Sequence, residues 1–284
     1  MKYKDRLLKP NMLSLMQLVR KELSRMSNGF WDLRVDKIIA DLKEGKRQDG
    51  RKVDELRNVV ITNNISENAA GSARVKWGYT DVIFGVKFEI AEPYPDTPDE
   101  GGISVGVELL PMADPDYEVG PPSEEAIELS RVVDRGIRES KGIDFKELCL
   151  VEGEKVLMAY VDGYVINNDG NLFDACAIGA LSSLLNCRLP KVEDGKIVAG
   201  EYSGKLKLKY KPILSTFGKI GTVIVADPLL AEEKAMSARF SVSLMDDDRI
   251  CAFQKGLSGS FKLDEINNCL DIAAKNSKLL RKLL

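Results

Sequence analysis

VVITNNISENAAGSARVKWGYTDVIFGVKFEI, residues 59–90, is the stretch on which the fold turns. Apolar and polar residues alternate through VVITN, SARVKW and TDVIFGVKFEI, with Asn63-Asn64, Gly71 and Gly78 breaking the runs. A period of two with turn residues at the breaks predicts consecutive antiparallel strands joined by short turns. Upstream the pattern differs. Residues 1–46 are rich in Leu, Met, Lys and Arg, with apolar residues at Leu13, Met16, Leu18 and Val19 and again at Ile38, Ile39 and Leu42. That spacing suits two amphipathic helices separated at Ser27-Asn28-Gly29. Residues 1–34 read as a helical N-terminal extension, either docked on a partner or lying as a surface helix, and 35–284 as the globular part.

Downstream, a loop dense in Pro, Asp and Gly (PYPDTPDEGG, 93–102) leads to a further strand, ISVGVELLP. Ser123 then caps a helix whose first turn carries Glu124 and Glu125, as the positive helix end prefers, and which runs to about Ser140. After Gly142 the order of strands, turn and helix recurs. LCLVEGEKVLMAYVDGYVIN gives two strands across Glu152-Gly153, and the small and apolar run LFDACAIGALSSLLNC (172–187) predicts a helix buried between layers. Strands in KLKLKYKPILSTF and TVIVADP, a strand pair around ARFSV and RICAFQKG, and a helix from Leu263 complete the chain. The fold class expected is α+β, built of two stacked strand-and-helix halves at about 35–142 and 143–284.

Composition narrows the chemistry. The chain has 284 residues, 41 Lys and Arg against 44 Asp and Glu, and a formal charge of -3, so bulk charge does not steer it to nucleic acid. Cys149, Cys176, Cys187, Cys251 and Cys269 lack zinc spacing and read as buried thiols. Histidine is absent altogether, which removes Ser-His and Cys-His nucleophiles and imidazole acid-base work. No cofactor and no metal are expected. No apolar run reaches the ~20 residues of a membrane span, so the protein is expected to be cytoplasmic, without membrane contact.

Two stretches carry possible chemistry. In the helix after Ser123, Arg131, Arg135 and Arg138 fall in a line away from the apolar face of Ile127, Leu129, Val132, Val133 and Ile137. Such a stripe can grip successive phosphates, or it can be a solvated face paired with Glu128 and Asp134. The second stretch, DPLLAEEKAMSARFSV (227–242), offers Asp227, Glu232 and Glu233 as acids but ends on the cation Arg239. Asp246-Asp247-Asp248 is a third acidic group, of the kind usually found in a solvated turn.

RQDGRKVDELRNV (47–59) followed by AGSARVKWGYTDVIFGVK (70–87) resembles the opening of the ribonuclease PH family. VELLP (107–111), GPPSEEAIELSRVVDRGIRES (120–140), DGNLFDA (169–175) and ADPLLAEEKAMSARFSVSLMDDDRICAFQKG (226–256) are similar to the non-catalytic ring subunits of the archaeal exosome. The resemblance covers residues 35–284 without interruption. It implies the ribonuclease PH-like fold and a hexameric ring, a trimer of heterodimers in which each such chain pairs with a catalytic ribonuclease PH-like subunit beneath RNA-binding cap subunits. It further implies shortening of single-stranded RNA from its 3′ end with inorganic phosphate as nucleophile, chemistry that needs no histidine.

The same resemblance implies two losses. Catalytic relatives carry an acidic pair spaced by six residues, which fall here on Glu233 and Arg239. A guanidinium with a pKa above ~12 neither protonates a leaving group nor binds Mg²⁺, and it would pair with Glu233 across the site. A phosphate-binding arginine of the catalytic relatives aligns with Glu125. What the resemblance leaves this chain is RNA contact through Arg131 and Arg135, which match the arginines attributed to the non-catalytic partner. The competing expectation is an independently active phosphorolytic exoribonuclease using Glu233, Asp227 or the triple acid run.

Overall fold

The computed structural model describes residues 34–284, and the expected N-terminal extension lies outside them. Helix α1 (34–43) is followed by strands β1 (Val59–Asn63), β2 (Gly71–Trp77), β3 (Thr80–Ala91) and β4 (Gly102–Leu109). Next come α2 (Glu124–Glu139), a 3₁₀ turn (Phe145–Leu148), β5 (Cys149–Val151), β6 (Lys155–Asn167) and α3 (Leu172–Leu185). A hairpin of β7 (Arg188–Glu193) and β8 (Lys196–Lys205) leads to β9 (Ile213–Ile220) and β10 (Val223–Ala226). Helix α4 (Leu230–Ala235), β11 (Ala238–Leu244), β12 (Ile250–Gly256) and α5 (Leu263–Arg281) close the chain.

The strands of the opening stretch pair as the alternation predicts, with Val59 opposite Trp77 and Trp77 opposite Thr80. The first sheet has order β1-β2-β3-β6-β4, with β5 on β6. It is antiparallel except for β4 against β6, which run parallel. The second sheet has order β10-β9-β11-β12 and is antiparallel throughout. The change of sheet therefore falls after α3 and its hairpin, whereas the sequence reading starts a second half at 143. Strands β5 and β6 belong to the first sheet because β6 takes its partners from β3 and β4.

Helix α3 packs on β2 and β3 from one side and on β9 from the other. Its buried residues run almost without interruption from Leu172 to Leu184, so this largely apolar segment, with Asp174, Ser182 and Ser183 its buried polar members, is the centre of the core. Phe84, Leu181 and Leu184 are fully buried there, each side chain contributing roughly 1.5–3 kcal/mol. Gly71 admits no Cβ, because one would lie 2.3 Å from the Ser183 carbonyl of α3. Helix α2 lies on β4 and touches β12, so its exposed face runs past both sheets. Ser123 caps α2 by accepting from the Ala126 amide at 3.2 Å, and the helix ends within a residue of the expected position.

The β7–β8 hairpin is missing from the sequence reading. Its signal was Asp194-Gly195, which adopt φ of 51° and 71° in a two-residue turn. All five cysteines are free, with Cys176, Cys187 and Cys269 buried. Among the described residues no helix is long and apolar enough to cross a membrane.

Candidate nucleic-acid interface

Helix α2 sorts its three arginines by their partners. Arg138 is tied down: it donates twice to Asp134, at 3.1 and 3.0 Å, and to the Ile103 carbonyl at 2.7 Å. Arg135 is exposed and donates only to the neutral Gln254 side chain at 3.1 Å. Arg131 is exposed and makes no hydrogen bond or ion pair with any described residue. The carboxylates that could have neutralised the stripe are occupied elsewhere, Asp134 by Arg138 and Glu128 by Arg239 on β11. Two uncompensated guanidinium groups, about 6 Å apart along the helix axis, are thus left facing solvent.

The residues expected to mark the altered acid site do come together, but not in the pairing expected. Arg239 is 8% exposed and does not pair with Glu233; its guanidinium bonds Glu128 and lies 4.0 Å from the centre of the Phe173 ring. Gly256 opposite it on β12 provides the room, since a Cβ there would lie 2.6 Å from the guanidinium. Glu233, on α4, instead accepts the Asn171 amide at 2.9 Å. Burial pushes its carboxyl up to about 7, with Glu125 adding to the rise and the Asn171 amide and Arg239 opposing it. Glu125 accepts from the Tyr117 hydroxyl at 3.3 Å. Partial burial raises the Glu125 carboxyl as well, with Asp114 and Glu128 contributing. The cluster therefore sets carboxylates around one arginine whose charge is already matched, an environment that disfavours phosphate.

Tyr117 and Asn168 were invisible to sequence reasoning, although Asn168 donates to both Asp114 and the Tyr117 hydroxyl at 3.1 and 3.0 Å. No local pattern announces them, because the loop before α2 meets the turn before α3 only after folding. Asp227 and Glu232 belong to a different structure altogether. Asp227 is fully buried and accepts from Arg57, Arg51 and Asn171. Burial alone would raise its carboxyl, but the hydrogen bonds and charges of Arg57 and Arg51 reverse the sign and hold it below the usual carboxylate range. Glu232 accepts two hydrogen bonds from the buried Arg47, at 2.6 and 2.9 Å, and the same guanidinium donates to the Lys52, Ala226 and Asp227 carbonyls. Of the triple acid run, Asp246, Asp247 and Asp248 pair with Arg281, Arg249 and Lys278 on the surface.

Asp174 gives this region a pH dependence. It is buried, accepts from Asn171 and Thr216 through Oδ2, and leaves Oδ1 without a partner. Burial pushes its carboxyl up to about 7, with the Asp227 carboxylate adding to the rise. A carboxyl with a raised folded pKa contributes stability that is complete below its unfolded value of ~3.9 and lost as pH rises through the folded one. The contribution of this group to the urea midpoint is expected to fall between about pH 4 and about pH 7 and to level off above that, and Asp174→Asn to make that fall smaller.

This arrangement of sheets and helices belongs to a known family. The sequence matches the 3′ exoribonuclease family model, domain 1 over residues 55–190 and domain 2 over residues 211–276. The exosome complex component Rrp42 of Thermococcus gammatolerans is 44% identical over 253 residues, covering 88% of this chain and 93% of that one. A solved structure described as the Archaeoglobus fulgidus exosome with RNA bound to the active site superposes with a TM-score of 0.84 at 38% identity, over 89% of this chain and 98% of that one. One described as an archaeal exosome core gives 0.81 at 36% identity, over 90% and 98%. The chain belongs to the ribonuclease PH-like 3′ exoribonuclease family and has its fold.

Proposed function

We infer that this chain is a non-catalytic ring subunit of an exosome, acting in the cytoplasm. It pairs with a catalytic ribonuclease PH-like subunit in a ring of three such heterodimers, beneath RNA-binding cap subunits. There it supplies Arg131 and Arg135 to the backbone of single-stranded RNA entering the sister's phosphorolytic site. Likeness to exosome components over nearly the whole chain supports the assignment to the ring.

The observation that carries the division of labour is the exchange of partners around α2. Glu128 pairs with Arg239, and Arg239 stands where a second acid would be needed. The same exchange leaves Arg131 and Arg135 free of carboxylates for an external anion. Phosphate contacts of this kind are indifferent to sequence and need only local positive charge, which reconciles RNA contact with a net acidic protein.

One observation favours an independent active site: Glu233, held near neutrality, has the proton affinity a general acid requires. Against it stand Glu125, which repels the phosphate nucleophile, and the pairing of Arg239 with Glu128, which leaves no free cation there to hold it. Glu233→Gln is therefore expected to leave phosphate-dependent RNA shortening by the assembled complex within about twofold of the wild type. A loss of about 100-fold or more, the usual size of a general-acid contribution, would establish Glu233 as the acid.

A further inference from the structure

Between α2 and β4 runs a groove of about 340 Å³, lined by Tyr94, Ser104, Ser130, Arg131, Arg135 and Arg138 among others. Asp134 and Glu139 also line it, and Asp134 is already matched by Arg138. Arg131 is shared with a second groove of about 300 Å³ toward Glu108 and Asp162, and with a third of about 300 Å³ toward Glu128 and Gln254. The second groove holds two acids against one arginine and the third two acids, Glu124 and Glu128, against two arginines, whereas the first sets three arginines against two acids and alone of the three carries an excess of positive charge. A strand of RNA lying on Arg131 and Arg135 is thus directed along α2 toward Tyr94.

Tyr94 is suited to meet a base. It is 61% exposed and forms no hydrogen bond through its hydroxyl to any described residue. Pro93 and Pro95 flank it, and the Thr97 amide donates to its carbonyl at 3.0 Å, closing a turn. Two prolines and a closed turn restrict the backbone, so little freedom is lost when the ring is covered. A rigid, uncovered aromatic beside a row of guanidinium groups is the combination that binds single strands without sequence preference.

We propose that Tyr94 stacks on a nucleobase of the single-stranded RNA whose phosphates lie on Arg131 and Arg135. The proposal rests on the RNA-guiding function inferred above and adds a base contact to it. Phosphate contacts alone would let the strand slide freely along α2; a stacking residue at the end of the groove holds it in register.

The test uses the assembled ring without phosphate, so that RNA is bound but not shortened. Its probes are an oligoadenylate carrying 2-aminopurine and the corresponding abasic strand, titrated at several salt concentrations. Tyr94→Ala is expected to weaken the base-bearing strand by about 5- to 150-fold, with unchanged salt dependence and little change for the abasic strand. Tyr94→Phe should retain wild-type affinity. Arg131→Ala should lower the slope of log affinity against log salt by about 0.7 for both probes. Wild-type binding by Tyr94→Ala, with Arg131→Ala still impaired, overturns the stacking role alone. Wild-type binding by both variants overturns the RNA path itself. Failure of Tyr94→Ala to enter the ring, read by size-exclusion chromatography, assigns Tyr94 to a protein contact and also overturns the proposal.

Discussion

Alanine at both Arg131 and Arg135 is expected to slow phosphate-dependent shortening of single-stranded RNA by the assembled ring by about 100-fold or more. A hydrogen bond to a charged group contributes about 1.5–3 kcal/mol, and each 1.4 kcal/mol is tenfold. The two losses need not add, since in the proposed RNA path both groups would meet the same strand. Stability should stay within about 0.5 kcal/mol of the wild type, because neither arginine has a carboxylate partner to abandon. Activity measured against salt, beside a urea titration of each variant, checks both halves of the expectation. Unaltered activity at every salt concentration would remove these arginines from the RNA path.

The second large effect concerns folding. Arg57→Ala is expected to destabilise the protein by about 3–5 kcal/mol, the cost of breaking a buried ion pair by removing one partner. Arg57 donates to both oxygens of Asp227 and to the Asp169 and Gly170 carbonyls, joining β1's lead-in to the turn before α3 and the segment before α4. Its loss leaves the buried Asp227 with Arg51, Asn171 and the residue 57 backbone amide, a single cation where there were two. The pH dependence follows from the depressed carboxyl of Asp227. Its contribution is present above the unfolded pKa of ~3.9 and lost as pH falls through the lower folded value, so the wild type weakens in acid through this group. Urea midpoints of wild type and Arg57→Ala at neutral and acid pH measure this directly: the gap between them should narrow as pH falls below about 4.

These two effects differ in how far the sequence foretells them. The register of β1, β2 and β3 is written in local alternation, and the limits of α2 in Ser123 and the acidic first turn, so both were legible. Helix α3 was legible for the opposite reason, having no polar face at all. The position of β6 was not, because its pairing with β4 is parallel and nonlocal, and nothing in either strand names the other.

The same distinction runs through the site. Spacing along α2 set Arg131, Arg135 and Arg138 in one line, but not which of them would be free. That depended on Glu128 turning to Arg239, a residue 111 positions away, and on Asp134 choosing Arg138. Glu233 and Arg239 are six apart in sequence yet unpaired, because α4 aims one at the start of α3 while β11 aims the other at α2. Asp227 read as a candidate acid and is instead the hub of a buried arginine cluster, fixed by Arg57 from 170 residues upstream.

The proposed division between a guiding subunit and a catalytic one is tested most directly by following phosphate-dependent release of nucleoside diphosphates from single-stranded RNA. The purified chain is measured alone and after mixing with the catalytic ribonuclease PH-like subunit. Release from the mixture only, diminished by Arg131→Ala and indifferent to Glu233→Gln, is the expected result. Release by the chain alone, abolished by Glu233→Gln, would contradict it and make the carboxylate cluster beside Arg239 an active site in its own right.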